Sequence, residues 1–305
     1  MSGTTHHEAF RIALAIAGIT ALFAAGPARA ASTVRLPGTA CPHSDFLFAD
    51  AFEPQPPVPH DPSNGSGGPY PGDVTRSVVV SGLGTRTYYL HVPIGYDPAQ
   101  ALPLVLALRG STAPSSMAAA AQQVRANWSA LADAHGFLVL APVGNSTQGG
   151  WGVSGDAAEI GAALDDAAAH YNIERSRVYL WGFSAGAHFG HTLALNNTDY
   201  FAAYGTSAGM LEAHACTDDG FYPPTCAALL AGTMPKIPVD IHIGTSDPLM
   251  QPPYTAAGDP QRFRDGGWVD GHTLFVTQFS GGHTYDTTHL AQIWNRLCSF
   301  ALAAP

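Results

Sequence analysis

The run Val178-Tyr179-Leu180-Trp181, followed at once by Gly182-Phe183-Ser184-Ala185-Gly186, limits the fold of this chain more than any other stretch. Four apolar, β-favouring residues enter a Gly-x-Ser-x-Gly turn, and the pattern beyond them reads as a helix beginning at Ala185. Such a turn is strained. It leaves the Ser184 hydroxyl exposed, and side chains at the flanking positions would collide with neighbouring backbone, which is the reason for glycine at 182 and 186. The helix expected next carries Ala187, Phe189, Leu193 and Leu195 with small Gly190 among them, so it can press closely on a sheet.

The same pattern occurs a second time, as Gly205-Thr206-Ser207-Ala208-Gly209 after the apolar run Phe201 to Tyr204. The residues beyond each turn distinguish the two. After Ser207 the chain soon reaches Cys216, Asp218, Asp219, Gly220 and Pro223-Pro224, which reads as loop and not as helix. Ser184 is therefore the candidate nucleophile, and Ser207 reads as an ordinary strand-end serine.

From Val74 onward the elements alternate. Strands are expected at Val74 to Val80 and Thr85 to Val92, paired across Ser81-Gly82-Leu83-Gly84, and at Leu102 to Leu108, a nearly continuous apolar run suited to burial. A helix over Ser116 to His135, strand Phe137 to Ala141, a helix near Asp156 to Tyr171, the strand before Ser184 and strand Phe201 to Tyr204 come next. Strands Val239 to Ile243 and Thr273 to Phe279 and a final helix from about Asp286 to Leu302 complete the series. Strands alternating with helices imply an α/β fold, a mainly parallel sheet with helices on both faces. Ligands of such sheets bind beyond the carboxyl ends of the strands.

Residues 1 to 30 read as a secretory signal: Arg11 precedes the apolar run Ile12 to Ala25, and Ala28-Arg29-Ala30 offers small residues for cleavage after Ala30. No stable membrane anchor is expected after cleavage, and the destination is extracellular or periplasmic. Residues 31 to 53 form a short N-terminal segment too small for its own core. Residues 54 to 73, with seven Pro and four Gly, read as a linker, and residues 74 to 305 as one catalytic domain. Export makes the four cysteines readable as disulfides, with Cys216–Cys226 and Cys41–Cys298 the favoured pairs. A formal net charge of -10 argues against nucleic acid as a partner.

A serine hydroxyl becomes a nucleophile only when a base takes its proton, and the base needs a carboxylate to hold its tautomer. The strand Val239 to Ile243 runs into Gly244-Thr245-Ser246-Asp247, and the strand Thr273 to Phe279 into Ser280-Gly281-Gly282-His283. Asp247 and His283 are thus the expected partners, in the chain order Ser, Asp, His. Asp240, Asp265, Asp270 and His289 compete less well by position. His188 and His191 lie three apart on the helix after Ser184, a pair without a third ligand, and read as surface or satisfied core histidines. Oxyanion donors are expected at the N-H of Ala185 and at Ser111, with Thr112 the alternative within Arg109-Gly110-Ser111-Thr112.

The chain resembles the secreted poly(3-hydroxybutyrate) depolymerase and feruloyl esterase-like group of α/β-hydrolases. The likeness rests on Arg86 to Pro93 with Gly95-Tyr96, on Leu102 to Val105, on Tyr171-Asn172-Ile173 leading into Arg177-Val178-Tyr179, on the Ser184 turn, and on Gly281-Gly282-His283-Thr284. It implies the α/β-hydrolase fold and a Ser184, Asp247, His283 triad that hydrolyses carboxylic esters, small or polymeric, without metal or redox cofactor. Two positions depart from the group: Arg109 stands where it usually has His, and Ala187 where it usually has Gly. Arg109 offers a guanidinium either to a substrate carboxylate or to a local acid, and Trp151, in Gly149-Gly150-Trp151-Gly152, either lines a substrate pocket or covers core. A peptidase on the same fold and a non-catalytic binding protein are the competing functions.

Overall fold

The computed structural model describes residues 33–36, 59–218 and 224–303. The expected signal segment, most of the N-terminal segment, Cys41 and the stretch Phe221 to Pro223 lie outside the described residues. In chain order the elements are β1 (Thr33–Arg35), β2 (Gly72–Val80), β3 (Gly84–Val92), β4 (Leu102–Leu108), α1 (Met117–His135), β5 (Leu138–Pro142), α2 (Val153–His170), β6 (Ile173–Phe183) and α3 (Ala185–Asn196). Then come β7 (Ala203–Ser207), α4 (Cys226–Gly232), β8 (Val239–Gly244), α5 (Asp259–Asp265), β9 (Leu274–Phe279), α6 (Thr287–Leu297) and β10 (Phe300–Leu302).

Eight strands form one sheet in the order β2-β3-β5-β4-β6-β7-β8-β9. The β2–β3 and β3–β5 pairs are antiparallel, and every pair from β5 to β9 is parallel. The pleat sorts the core into two layers. Leu104, Leu106, Leu108 and Leu180 pack with Ile160 and Leu164 of α2 and Phe189 and Leu193 of α3. Val105, Ala107, Tyr179 and Trp181 face the other way, against Val124 and Trp128 of α1 and Ile293 and Trp294 of α6. Trp181 and Trp128 are fully buried and meet edge to face at 5.5 Å, each burial contributing roughly 2–3 kcal/mol.

Two expectations need correcting. The last helix does not continue to Leu302: it ends at Leu297, and Phe300–Leu302 pairs antiparallel with Thr33–Arg35 as a separate two-stranded sheet. Its partner strand is remote in sequence, so no local pattern announced it. The Pro/Gly-rich stretch is not a free linker from Pro59 on. Asp61 N-H donates to Glu174 Oε1 at 2.6 Å, Ser63 Oγ donates to the Tyr171 carbonyl at 2.8 Å, and Pro62 bridges Glu174. Glycine is required here for approach, because a Cβ at Gly65 would overlap the Tyr171 backbone and one at Gly68 the Tyr171 ring.

Candidate active site

The turn after β6 carries Ser184 at φ 52°, one of three non-glycine residues with positive φ among the described residues. That conformation costs on the order of 1–3 kcal/mol and persists only where the surroundings impose it. They do so here. Ser184 N-H donates to the Ser207 carbonyl at 2.9 Å, and its own carbonyl accepts from Ala187 and His188 at 2.8 and 3.0 Å, which starts α3. A Cβ on Gly182 would overlap the Gly186 carbonyl, and one on Gly186 the carbonyls of Leu108 and Arg109. The two glycines let β6, α3 and the end of β4 close on one another. Ser207, the second candidate, is buried at the end of β7, where its Oγ accepts from Trp181 Nε1 at 3.1 Å.

Three strand ends converge on Ser184. His283 Nε2 lies 2.8 Å from Ser184 Oγ, and His283 Nδ1 lies 2.9 and 3.1 Å from the two carboxylate oxygens of Asp247. Asp247 is fully buried, and its Oδ1 also accepts from Leu249 N-H at 2.9 Å. The loops that present these groups are tied together: Thr245 N-H donates to Phe279 O at 2.9 Å and Ser246 N-H to Gly281 O at 2.8 Å. Phe183 packs beside the His283 ring at 5.3 Å and Tyr285 at 4.8 Å, while Asn127 of α1 donates to the Tyr285 hydroxyl at 2.7 Å. A base thus stands within proton reach of a hydroxyl, with a carboxylate fixing the base.

The competing residues are engaged elsewhere. Asp240 is buried in β8 against His242 at 3.2 Å, Asp265 accepts from Gln261, and Asp270 pairs with Arg264 at 2.8 Å. His289 caps α6 with Asp286. His191 is buried beside the Tyr204 hydroxyl at 3.1 Å, and burial pushes its pKa down to about 3. His188 holds the Met210 N-H on its Nδ1 at 2.9 Å, and burial lowers its pKa too. Among the described residues no cluster of three or more His, Cys, Asp or Glu is arranged to hold a metal ion.

Of the two candidate donors after β4, Thr112 N-H is engaged by the Gly149 carbonyl at 3.1 Å. Ser111 is exposed beside the site, and Ala185 opens α3, where helix geometry leaves the first N-H groups without intrahelical partners. Arg109 and Trp151 do not line a pocket. Arg109 is 1% exposed and Trp151 5%. The Arg109 guanidinium donates to the carbonyls of Val143, Gly110, Gly149 and Gly150 at 2.9, 3.0, 2.8 and 3.2 Å. Among the described residues it forms no ion pair with a local acid, and its donors are taken by backbone carbonyls. Trp151 stacks on Phe189 at 5.6 Å and donates Nε1 to the Arg109 carbonyl at 2.8 Å, so it closes core.

Sequence reasoning missed Asp156 and Glu159 of α2, both buried. Asp156 accepts from Asn145 N-H at 2.6 Å and Gly152 N-H at 2.5 Å, and Glu159 from Gly144 N-H at 2.9 Å. Burial raises both carboxyls, Glu159 to about 7, and lowers Arg109. The available signal was two acids three apart in the first half of the helix, set among Gly155, Ala157, Ala158 and Ile160.

Among solved structures, a ferulic acid esterase superposes with a TM-score of 0.56 over 74% of this chain and 97% of its own, at 16% identity. Its nearly complete overlap, together with the parallel sheet and the strand-end serine, decides the fold. The chain has the α/β-hydrolase fold. Two curated proteins are similar to this chain in sequence. Poly(3-hydroxyalkanoate) depolymerase C of Paucimonas lemoignei is 33% identical over 208 residues, 57% of this chain and 48% of its own length. The bifunctional acetylxylan esterase/xylanase XynS20E of Neocallimastix patriciarum is 30% identical over 126 residues, 41% of this chain and 18% of its own. The chain thus spans about half the length of one curated relative and less of the other. No family model matches it.

Proposed function

We propose that this α/β-hydrolase is an exported serine esterase that cleaves carboxylic esters through an acyl-enzyme, with hydroxyalkanoate or feruloyl esters as its substrates. The observation that carries the reading is the chain Ser184 Oγ, His283 Nε2, His283 Nδ1, Asp247, with contacts of 2.8 and 2.9 Å. In the first step Ser184 Oγ bonds to the carbonyl carbon while its proton passes to His283 Nε2. The carbonyl π pair moves to oxygen, which the N-H groups of Ser111 and Ala185 receive. Collapse breaks the bond to the alcohol oxygen, and that oxygen leaves with the proton held by His283. Water then repeats the sequence on the acyl-Ser184 ester, releasing the acid and restoring the serine.

The similarity to a polyhydroxyalkanoate depolymerase and an acetylxylan esterase supports ester substrates. Export is supported by the signal-like residues 1 to 30 and by the Cys216–Cys226 disulfide, a bond rare in reducing compartments. Among the described residues no helix is long and apolar enough to cross a membrane.

Hydrolysis of p-nitrophenyl butyrate by the purified protein, run beside Ser184→Ala, tests the reading. Activity abolished by the substitution is the expected result. Equal activity in both proteins rejects Ser184, and inactivity of both toward a panel of esters rejects the esterase.

A further inference from the structure

The guanidinium of Arg109 is enclosed, yet it makes no ion pair among the described residues. Its partners are four carbonyls, and three of them, Val143, Gly149 and Gly150, belong to the segment 143–152 that links β5 to α2. The amides of that same segment face the other way: Gly144, Asn145 and Gly152 donate to Glu159 and Asp156. A buried charge without compensation is costly. Here one cation and two carboxylates grip opposite sides of a single loop, so its peptide dipoles carry the compensation. Trp151 returns to the cation, its ring 4.7 Å from the guanidinium carbon, and its Nε1 holds the Arg109 carbonyl.

The fourth carbonyl is the informative one. Nη1 of Arg109 donates to the Gly110 oxygen at 3.0 Å. That oxygen belongs to the peptide plane whose N-H is Ser111's. In a trans peptide the two groups point in opposite directions, so holding one aims the other. Gly110 itself lies beside the nucleophile, because a Cβ on it would stand 3.4 Å from the Ser184 Cβ. The next amide, Thr112 N-H, is anchored to Gly149, itself an Arg109 partner at 2.8 Å. The plane between the two anchors has its carbonyl turned to the guanidinium and its N-H turned away.

We infer that Arg109 is a positioning residue: by clamping the 143–152 loop and the Gly110 carbonyl it fixes the Gly110–Ser111 peptide plane, and so aims the Ser111 N-H at the oxyanion. This rests on the serine-esterase reading above. Lysine cannot replace the planar fork, since its single nitrogen cannot meet four carbonyls in fixed directions. The donor acts on charge that exists only in the transition state, so its misplacement lowers kcat and leaves KM nearly alone.

The test compares the full chain with Arg109→Lys and Arg109→Met on p-nitrophenyl butyrate. A single lost oxyanion donor costs about 10²–10³ in kcat elsewhere. Here kcat is expected to fall about a hundredfold with KM within about threefold. Affinity for butylboronic acid, whose tetrahedral adduct on Ser184 mimics the oxyanion, should fall by the same factor, and that for butyramide should hold. A kcat within about threefold of wild type, or equal weakening of boronate and amide, would overturn the assignment. Should the arginine variants fail to fold, Asp156→Asn loosens the same loop from its other side. It must then show the same fall in kcat at constant KM, and an unchanged kcat overturns the clamp. A wild-type chain inert toward esters and unlabelled by a fluorophosphonate overturns the esterase reading itself; active wild type with undiminished variants overturns only the clamp.

Discussion

His283 and Asp247 meet through two contacts, Nδ1 to Oδ2 at 2.9 Å and Nδ1 to Oδ1 at 3.1 Å, although 36 residues separate them and Asp247 has no exposed surface. The contact places the ring proton on Nδ1 and leaves Nε2 as the acceptor facing Ser184. Asp247→Asn keeps the volume and the Leu249 N-H bond, but its amide can donate to Nδ1 and so favour the opposite tautomer. The expected result is a kcat for p-nitrophenyl butyrate lower by roughly 10³–10⁴ at neutral pH with the melting temperature nearly unchanged, by analogy with other Ser-His-Asp triads. A loss under tenfold would mean that the ring is oriented by its loop alone.

The Glu159 carboxyl supplies a second prediction, on stability. Burial raises it to about 7, against an unfolded value of about 4.5. Between those limits the native state holds a proton that the unfolded chain has released, so this group's contribution is present at low pH and lost as pH rises to about 7. At full strength the loss is about 3 kcal/mol. His191, pushed down to about 3 by burial, acts with the opposite sign below about 6.5, so the whole-protein curve mixes both. The difference between proteins isolates the carboxyl. Glu159→Gln should gain stability over wild type as pH rises from 5 to 8 in urea unfolding, and a difference independent of pH would reject the raised pKa.

The parts of this molecule legible in its sequence are those whose cause is local. Leu102–Leu108 was readable residue for residue because a strand covered on both faces needs an unbroken apolar run. That Ser184, Asp247 and His283 would meet was readable because each follows a strand end and glycines mark all three turns. What the sequence concealed depends on partners far along the chain. Phe300–Leu302 is a strand only because Thr33–Arg35 pairs with it. Arg109 read as a guanidinium for a substrate carboxylate or a local acid, whereas its partners among the described residues are backbone carbonyls, a group every residue carries and no sequence pattern marks. Residues 59–71 looked like linker because Pro and Gly exclude regular structure, and those glycines also admit Tyr171 at close quarters.

The Cys216–Cys226 disulfide leads to a prediction about substrate size. Cys298 is also disulfide-bonded, but its expected partner Cys41 lies outside the described residues. The 216–226 bridge closes a loop with a sequence separation of 10. The segment before it reaches the site: Met210 N-H is held by His188, one turn beyond Ser184, and Thr255 N-H contacts the Met210 sulfur at 3.5 Å. Arg262 ties the same segment down through Glu212 and Asp218 at 3.1 and 2.9 Å. Opening the bridge in Cys216→Ser/Cys226→Ser removes a constraint on the unfolded chain of about 3 kcal/mol for a loop of this length. It also frees the segment whose Met210 is held by His188 of α3. The expected outcome is a lower melting temperature and a change in kcat/KM at least several-fold larger for a naphthyl or oligomeric ester than for an acetate ester. Equal changes on both substrates would mean that the bridged segment stabilises the fold without touching bound substrate.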